Sequence, residues 1–313
     1  MKISVCIPSY MRPKLLLEAI QSALNQSTPP FEILIGDDSP DDATEELIRS
    51  IAPQGVKIRY WHHKPSLGQA QNVQHLLQHA EGEVISLIHD DDRYRPEAFA
   101  MLIKPLQMHS NVIATFGKQK IISESGIEDD NDSNELNNGH FRTSDRAGIV
   151  HNTIECGILS MFPNNGFFVR REVAQAIDYV DDEKASTACD YNFGLRIGQF
   201  DRALWFCDEF VADYRITTES VARSGSDAAY FAFKLATELI SRSKVEITPA
   251  INTFLKSQVR VAIYVGARIS PFDALNWYFS RWHRQSILSL GGIKRGALLL
   301  VAICRHRRPP TSD

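Results

Sequence analysis

The sequence predicts an α/β fold: a mostly parallel sheet flanked by helices, with a C-terminal helical extension. Three observations carry that expectation. Over the first 120 residues, short apolar runs alternate with amphipathic stretches of helical period, four times in succession. Such alternation builds parallel strands whose sheet is covered on both faces. Three of the apolar runs end in unusual polar clusters, which a parallel sheet gathers at the carboxyl ends of its strands. After about residue 220 the strand-like runs give way to helical patterns.

The elements follow in order. Residues 3–7 form an apolar strand ended by Pro8, and residues 14–25 carry Leu15, Leu16, Ala19, Ile20 and Leu24 at helical spacing. Residues 31–35 are the second strand, ended by Gly36-Asp37-Asp38-Ser39. Residues 41–51 read as a short helix with acidic residues in its first turn, where the helix dipole favours them. A strand over 56–61, a helix over 68–80, a strand over 84–89, a helix opening at Pro96 and a strand over 112–116 continue the pattern. Residues 123–145 are rich in Asp, Glu, Asn, Ser and Gly, and predict a long mobile loop that closes over substrates. A strand over 164–171, helices over 172–179 and 190–199 and a strand over 203–214 come next. Residues 228–241 and 247–269 predict paired helices, and there is no internal repeat. This divides the chain into a 1–220 domain and a helical 221–313 region.

Composition narrows the function. The chain has 313 residues, 43% hydrophobic and 23% charged, as a soluble globular protein does. A net charge of −4 gives no support for a nucleic-acid partner. Five scattered cysteines without CxxC spacing point to a reducing compartment, with neither a zinc site nor a disulfide framework. A strand-like run begins at Ile3 with no signal-peptide pattern before it, and no apolar stretch reaches the ~20 residues of a membrane span. A cytoplasmic location is the expectation.

The most informative stretch is Asp90-Asp91-Asp92, directly after the apolar run 84–89. Like charges at about 4 Å repel by roughly 4 kcal/mol per pair at an effective dielectric near 20. Three buried carboxylates therefore need a cation, or one must take a proton. Oxygen ligands favour a hard divalent metal that keeps positions open for phosphates. An acidic turn in open water is the alternative. His62-His63 reads as a strand end, and His75 with His79 as a solvated helix face lacking a third zinc ligand. Neither G-x-G-x-x-G after the first strand nor G-x-S-x-G occurs, so a dinucleotide oxidoreductase and a serine hydrolase lack support.

Six segments, in order and spacing, resemble the family-two glycosyltransferases of GT-A fold. They are the stretches Ser4 to Pro13, Glu32 to Ser39, Gly68 to Asn72, His89 to Pro96, Asn165 to Glu172 and Asp190 to Arg196. The resemblance covers about residues 1–220. It implies transfer of a sugar from a nucleotide diphosphate, a UDP-sugar above all, with inversion at the anomeric carbon.

The resemblance also implies roles. Pro8, Ser9, Tyr10 and Arg12 line the nucleotide pocket, with Asn72 and Asp90 beside them. Asp38 accepts from the uracil imide with Asp37 adjacent, since a carboxylate accepts well from an N–H. A turn with a helix cap is the other reading of Asp37-Asp38-Ser39-Pro40. Asp91 and Asp92 hold the metal, Mn²⁺ or Mg²⁺, while His89 stands where many relatives carry the first aspartate of the DxD motif. Asp190 is the catalytic base, an N-cap role being its alternative. Asn165 and Gly166 contact the acceptor, a glycan or lipid-linked molecule of surface polysaccharide or lipopolysaccharide synthesis. Two departures stand out: Gln71 replaces an arginine before Asn72, leaving Lys64 or Arg93 to compensate, and threonine follows Tyr214-Arg215-Ile216 where many relatives have histidine. These permit a weaker dependence on metal. A nucleotidyltransferase and a non-catalytic nucleotide-sugar or glycan-binding relative are the rival readings.

The last fifty residues mix Trp277, Tyr278, Phe279, Trp282 and short leucine-rich runs with Arg281, Arg284, Lys294, Arg295, Arg305, Arg307 and Arg308. Such a mixture suits a peripheral helix at the inner face of the cytoplasmic membrane. Packing against the main domain is the alternative.

Overall fold

The computed structural model describes residues 1–51, 55–177, 179, 186–217 and 227–306, the side chains of Ser186, Arg305 and His306 excepted. The chain divides into two compact units, Met1–Val180 with Cys189–Ser220, and Asp181–Ala188 with Val221–Asp313.

The first unit is a mixed α/β layer structure. Its ten-stranded sheet runs in the order β3 (Lys57–His62), β2 (Glu32–Asp37), β1 (Ile3–Ser9), β4 (Val84–Leu87), β9 (Phe168–Arg170), β6 (Val112–Ile122), β10 (Ala203–Arg215), β5 (Arg93–Tyr94). Off this path, β7 (Glu128–Asp129) pairs β6 and β8 (Gly148–Val150) pairs β10. The first four strands are parallel, as are β6 and β10. β9 is inserted antiparallel between the two groups, and β5, β7 and β8 are also antiparallel.

Every residue of β1, β2 and β4 is buried, as expected of strands covered on both faces. Helix α1 (Pro13–Leu24) buries Leu16, Ala19, Ile20, Ala23 and Leu24, the i, i+3, i+4, i+7, i+8 stripe. Each large member contributes about 1.5–3 kcal/mol through burial. α2 (Ala43–Ser50), α3 (Gln69–His79) and α4 (Ala98–Met108) complete the crossovers read from the sequence. Pro8 does not end the first strand. Pairing with β2 continues to Ser9↔Asp37, while the ladder with β4 ends at Cys6↔Leu87, so no strand on that side asks for the missing Pro8 N–H.

The expected loop over 123–145 is instead built structure. It holds β7, helix α5 (Asp130–Gly139) and a 3₁₀ turn, Ser144–Arg146. Asp129 caps α5, its side chain accepting from Asp132 N at 2.9 Å. Ser133 and Asn137, four residues apart, face the sheet. Ser133 Oγ accepts from Ile121 N at 2.9 Å, Asn137 Oδ1 accepts from Gln119 N at 3.1 Å, and Asn137 Nδ2 donates to Gln119 O at 2.8 Å. This helix is fastened by polar side chains, so hydrophobic periodicity carries no trace of it.

Among the described residues, three short helices complete the unit: α6 (Thr153–Ile158), α7 (Arg171–Ala176) and α8 (Cys189–Ile197). The strand expected over 164–171 shortens to β9, because Gly166 turns the chain with φ +66. There a Cβ would meet Ala212 Cβ at 2.5 Å, so the position needs glycine twice over.

The second unit contains α9 (Ala228–Ser243), α10 (Pro249–Ile269), α11 (Pro271–Tyr278) and α12 (Leu290–His306). Thr248 caps α10, accepting from Ile251 N at 3.2 Å, and Pro249 occupies its first turn. Trp277 packs edge-on against Phe233 and tilted against Tyr230, while Tyr230 OH and Lys234 Nζ both donate to Asp273 Oδ2. Trp277 and Tyr278 therefore belong to a core. Phe279, Leu288, Leu290, Ile293 and Leu300 are exposed. Among the described residues, no helix is long and apolar enough to cross a membrane.

Candidate active site

The parallel register sets the site. The carboxyl ends of β1, β2, β3 and β4 lie side by side, and the polar clusters after them meet along one sheet edge. Asp38 N donates to Ser9 O at 3.0 Å, and His63 N to Asp37 O at 2.8 Å. Tyr10 N donates to Asp90 Oδ2 at 3.0 Å, across 80 residues of chain.

Asp37 is wholly enclosed. Its Oδ2 accepts from Tyr60 OH at 2.9 Å and its Oδ1 from Ser39 N at 2.9 Å, so it stiffens the turn. Asp38 Oδ1 accepts from Leu67 N at 3.0 Å, which ties the end of β2 to the segment entering α3. Asn72, on α3, donates from Nδ2 to Gly36 O at 2.8 Å, while its Oδ1 is buried without a hydrogen-bond partner. Pro8 and Ser9 are buried, whereas Tyr10 is 56% exposed at the mouth of the edge. Arg12 Nη1 donates to Asp91 Oδ2 at 2.6 Å and lies 3.6 Å from Asp90 Oδ1. Lys64 pairs with Asp42 and Arg93 with Asp213, and Gln71 is exposed.

Burial and the neighbouring Asp91 charge push Asp90 up to about 6. The same two causes raise Asp92. His89, Arg215 N–H and the Asn165 amide pull it the other way without cancelling them. Asp92 Oδ1 accepts from Arg215 N at 2.8 Å, and its Oδ2 accepts from Asn165 Nδ2. Arg215, itself enclosed, donates from Nε to Asp91 O at 2.7 Å and from Nη1 to Glu124 O at 2.8 Å. His89 is raised although burial opposes it, because Asp190, Asp92, Asp91 and Asp90 all face it.

Asp190 lies in the first turn of α8, one residue after its start at Cys189, and its Oδ1 accepts from Tyr179 OH. The charges of Asp92, Asp91 and Asp190 also combine with burial to push Tyr214 up to about 12. Asp190 thus belongs to the same electrostatic neighbourhood as the triplet, about 100 residues earlier in the chain.

His89, Asp91 and Asp92 each offer a ligand atom within 4.8 Å of the other two, and His89 Nε2 is buried without a hydrogen-bond partner. An enclosed nitrogen lacking a partner beside two carboxylates is a donor set that fits a divalent cation. Asp42, Glu45 and His62 also come within 4.8 Å of one another, but at a more open place: Asp42 is exposed and neither Glu45 nor His62 is buried. His75 is not on a freely solvated face: its ring stacks on His79 at 4.1 Å, and burial pushes it down to about 4.

Asn165 is fully enclosed, its amide committed to Asp92 and Gln119. Behind it lies a residue that sequence reasoning missed. Arg142, 3% exposed, donates from Nε to Met161 O and from Nη1 to Gln119 Oε1, both at 2.8 Å. It makes no ion pair among the described residues, and burial pushes it down to about 9. Its only signal in the sequence is an arginine closing a polar segment. Thr217 is enclosed, while Thr218 and the 220/221 boundary lie outside the described residues.

The chain matches known proteins along this same frame. A family model described as glycosyl transferase family 2 matches residues 4–174. An uncharacterized glycosyltransferase of Rickettsia felis is 34% identical over 120 residues, 38% of this chain and 20% of that protein. An uncharacterized glycosyltransferase of Nostoc sp. is 26% identical over 296 residues, covering 91% and 84%. The GalNAc(5)-diNAcBac-PP-undecaprenol beta-1,3-glucosyltransferase of Campylobacter jejuni is 30% identical over 104 residues, covering 33% and 34%. The chain therefore spans a fifth of the first relative's length and about a third of the last.

Two solved structures share the fold. S. aureus TarS 1-349 in complex with UDP-GlcNAc superposes with TM-score 0.60 at 17% identity, covering 97% of this chain and 82% of that one. The mannosyltransferase PcManGT from Pyrobaculum calidifontis, in complex with GDP-Man and Mn²⁺, gives TM-score 0.59 at 14% identity, covering 99% and 81%.

Proposed function

The chain belongs to glycosyl transferase family 2, and from that membership we propose an inverting transferase that moves a sugar from a UDP-sugar to a glycan or lipid-linked acceptor in surface polysaccharide or lipopolysaccharide synthesis. Glycosyl transfer from a nucleotide sugar is the activity of the family. The finer reading is supported above all by Asp190 sharing two neighbours with Asp91 and Asp92: the charges of all three push both His89 and Tyr214 up.

The residues divide the work as follows. The backbone of Pro8, Ser9 and Tyr10 lines the nucleotide pocket, and Asp38 accepts from the imide N–H of uracil. Arg12, now on Asp91, supplies positive charge for the diphosphate, with Asn72 and Asp90 along the same wall. Asp91 and Asp92, joined by His89, would hold Mn²⁺ or Mg²⁺, which offsets the negative charge of the departing diphosphate. Asp190 takes the proton of the acceptor hydroxyl as that oxygen attacks the anomeric carbon from the face opposite the diphosphate. The corner Asn165-Gly166 borders the acceptor side.

The location follows from the same scheme. A lipid-linked acceptor lies at a membrane, and the exposed leucines of α12 with Lys294 and Arg295 suit peripheral contact at the inner face of the cytoplasmic membrane. Arg307 and Arg308, which would add to that contact, lie outside the described residues.

Thermal unfolding with UDP-, GDP- and dTDP-sugars, with and without Mn²⁺, tests the reading. A donor at 100 times its dissociation constant stabilises the fold by about 2.7 kcal/mol. Metal-dependent release of UDP from one of them is the expected result. No shift and no release with any donor overturns it.

A further inference from the structure

A buried guanidinium with no anion beside it is costly, since it gives up water without a charge in return. Among the described residues Arg142 is in that position, its hydrogen-bond partners being neutral oxygens: Met161 O at 2.8 Å, Gln119 Oε1 at 2.8 Å and Ser160 O at 3.5 Å. What this arrangement settles is the direction of a chain of amides.

Arginine can only donate. Gln119 must therefore turn its carbonyl oxygen toward Arg142, which leaves its Nε2 to face Asn165 Oδ1 at 2.6 Å and Asn164 Oδ1 at 2.8 Å. Asn165, with its oxygen taken, must turn its own Nδ2 toward Asp92 Oδ2. A flip at either amide would set oxygen against oxygen or N–H against N–H. Gln119 has no freedom to move away, because Asn137 holds its backbone N–H and its carbonyl. On the edge of β6 away from β10, β9 pairs only at Ala114 and Thr115 and β7 only at Ile121 and Ile122, which leaves the Gln119 backbone to α5.

We propose that Arg142 is a positioning residue for transfer: as a donor-only group it fixes the Gln119 and Asn165 amides so that an N–H always meets Asp92 Oδ2. The inference rests on the reading of Asp92 as part of the donor site. With Arg215 N–H on the other oxygen, the Asp92 carboxylate is gripped from both sides and its plane cannot rotate. The polar segment 123–145 then acts on the reaction from a distance, through α5 and Arg142.

Gln119→Glu separates positioning from simple packing. The new carboxylate still accepts from Arg142 and gives the guanidinium its missing anion, but it has no N–H for Asn165. Asn165 must flip, presenting oxygen to Asp92, or stay and face an oxygen. The expected result is an unfolding temperature equal to or above wild type, with kcat/KM lower by about 10–100-fold, the size usual for partners one step removed from a metal ligand. Unchanged kcat/KM overturns the inference. So does a parallel loss of unfolding temperature and activity, the signature of a merely structural contact. Wild type inactive with every donor sinks the reading of the site and this inference together, whereas active wild type matched by the variant sinks the inference alone.

Discussion

Arg215 and Asp92 are joined by a backbone N–H to Oδ1 hydrogen bond of 2.8 Å across 123 residues of chain. The last strand of the sheet thereby closes on the turn after β4. The Arg215 side chain reaches past that bond to Asp91 O, Glu124 O and Glu18 Oε2. One enclosed side chain thus ties the carboxylate triplet to α1 and to the segment that leads into β7.

Arg215→Met removes the side chain but keeps the backbone bond. Two partly buried carbonyls, Asp91 O and Glu124 O, lose their donor, at about 1 kcal/mol each. Arg215→Lys should recover little, because a single ammonium cannot span three acceptors set in a fork. Urea unfolding checks the stability, and the donor KM checks the turn. A fully stable Arg215→Lys protein would contradict this account.

Asp190→Asn tests the base. The amide keeps the size and still accepts from Tyr179 OH, but it cannot take a proton. Turnover should fall by about 10²–10⁴-fold, with the donor dissociation constant within a few-fold of wild type. Rapid-quench turnover alongside calorimetric donor binding measures the two separately. Equal loss of both would assign Asp190 to binding.

How far the sequence was legible depended on what holds each element. α1 and the strands β1, β2 and β4 are held by burial, so Leu16, Ile20, Val5 and Ile35 announced them through period. The strand-end carboxylates were legible because a charged triplet after an apolar run has few uses. α5 was not, since Ser133 and Asn137 fasten it by hydrogen bonds that any loop residue could offer. Arg142 was hidden for the same reason. Its partners are two backbone carbonyls and an amide, and no pattern in sequence marks a cation that is buried without an anion.

His140 should draw stability from the fold as pH falls below 6.5, against the opposite sign of Asp90, whose raised carboxyl gains stability on acidification. His140 sits beside Arg142, its Nδ1 enclosed without a partner, and burial with that neighbouring charge pushes it down to about 4. The unfolded chain takes up the proton near pH 6.5, the native chain only near 4. Between those values the unfolded state binds more protons, so stability present above pH 6.5 is lost as pH falls. The slope from this group reaches at most about 1.4 kcal/mol per pH unit, reduced by the partial exposure of the ring. His75 titrates with the same sign. His140→Gln should flatten the slope in urea melts from pH 7 to 4.5, and an unchanged slope would remove His140 from the account.

Removal of apolar contact on α12 tests membrane association apart from catalysis. Leu290 and Leu300 are 82% and 67% exposed, so neither contributes much to the core. Each buried side chain of this size is worth about 1.5–3 kcal/mol in transfer to an apolar phase. A membrane-bound α12 would therefore lose about tenfold or more in vesicle affinity with Leu290→Ser and Leu300→Ser, at 1.4 kcal/mol per factor of ten. Co-sedimentation with vesicles containing anionic lipid is the measurement, with thermal unfolding as the control for folding. Turnover on a soluble acceptor should be unchanged, because the leucines lie on a unit separate from the carboxylate site. Vesicle binding equal to wild type in the double variant would leave these leucines without a membrane role.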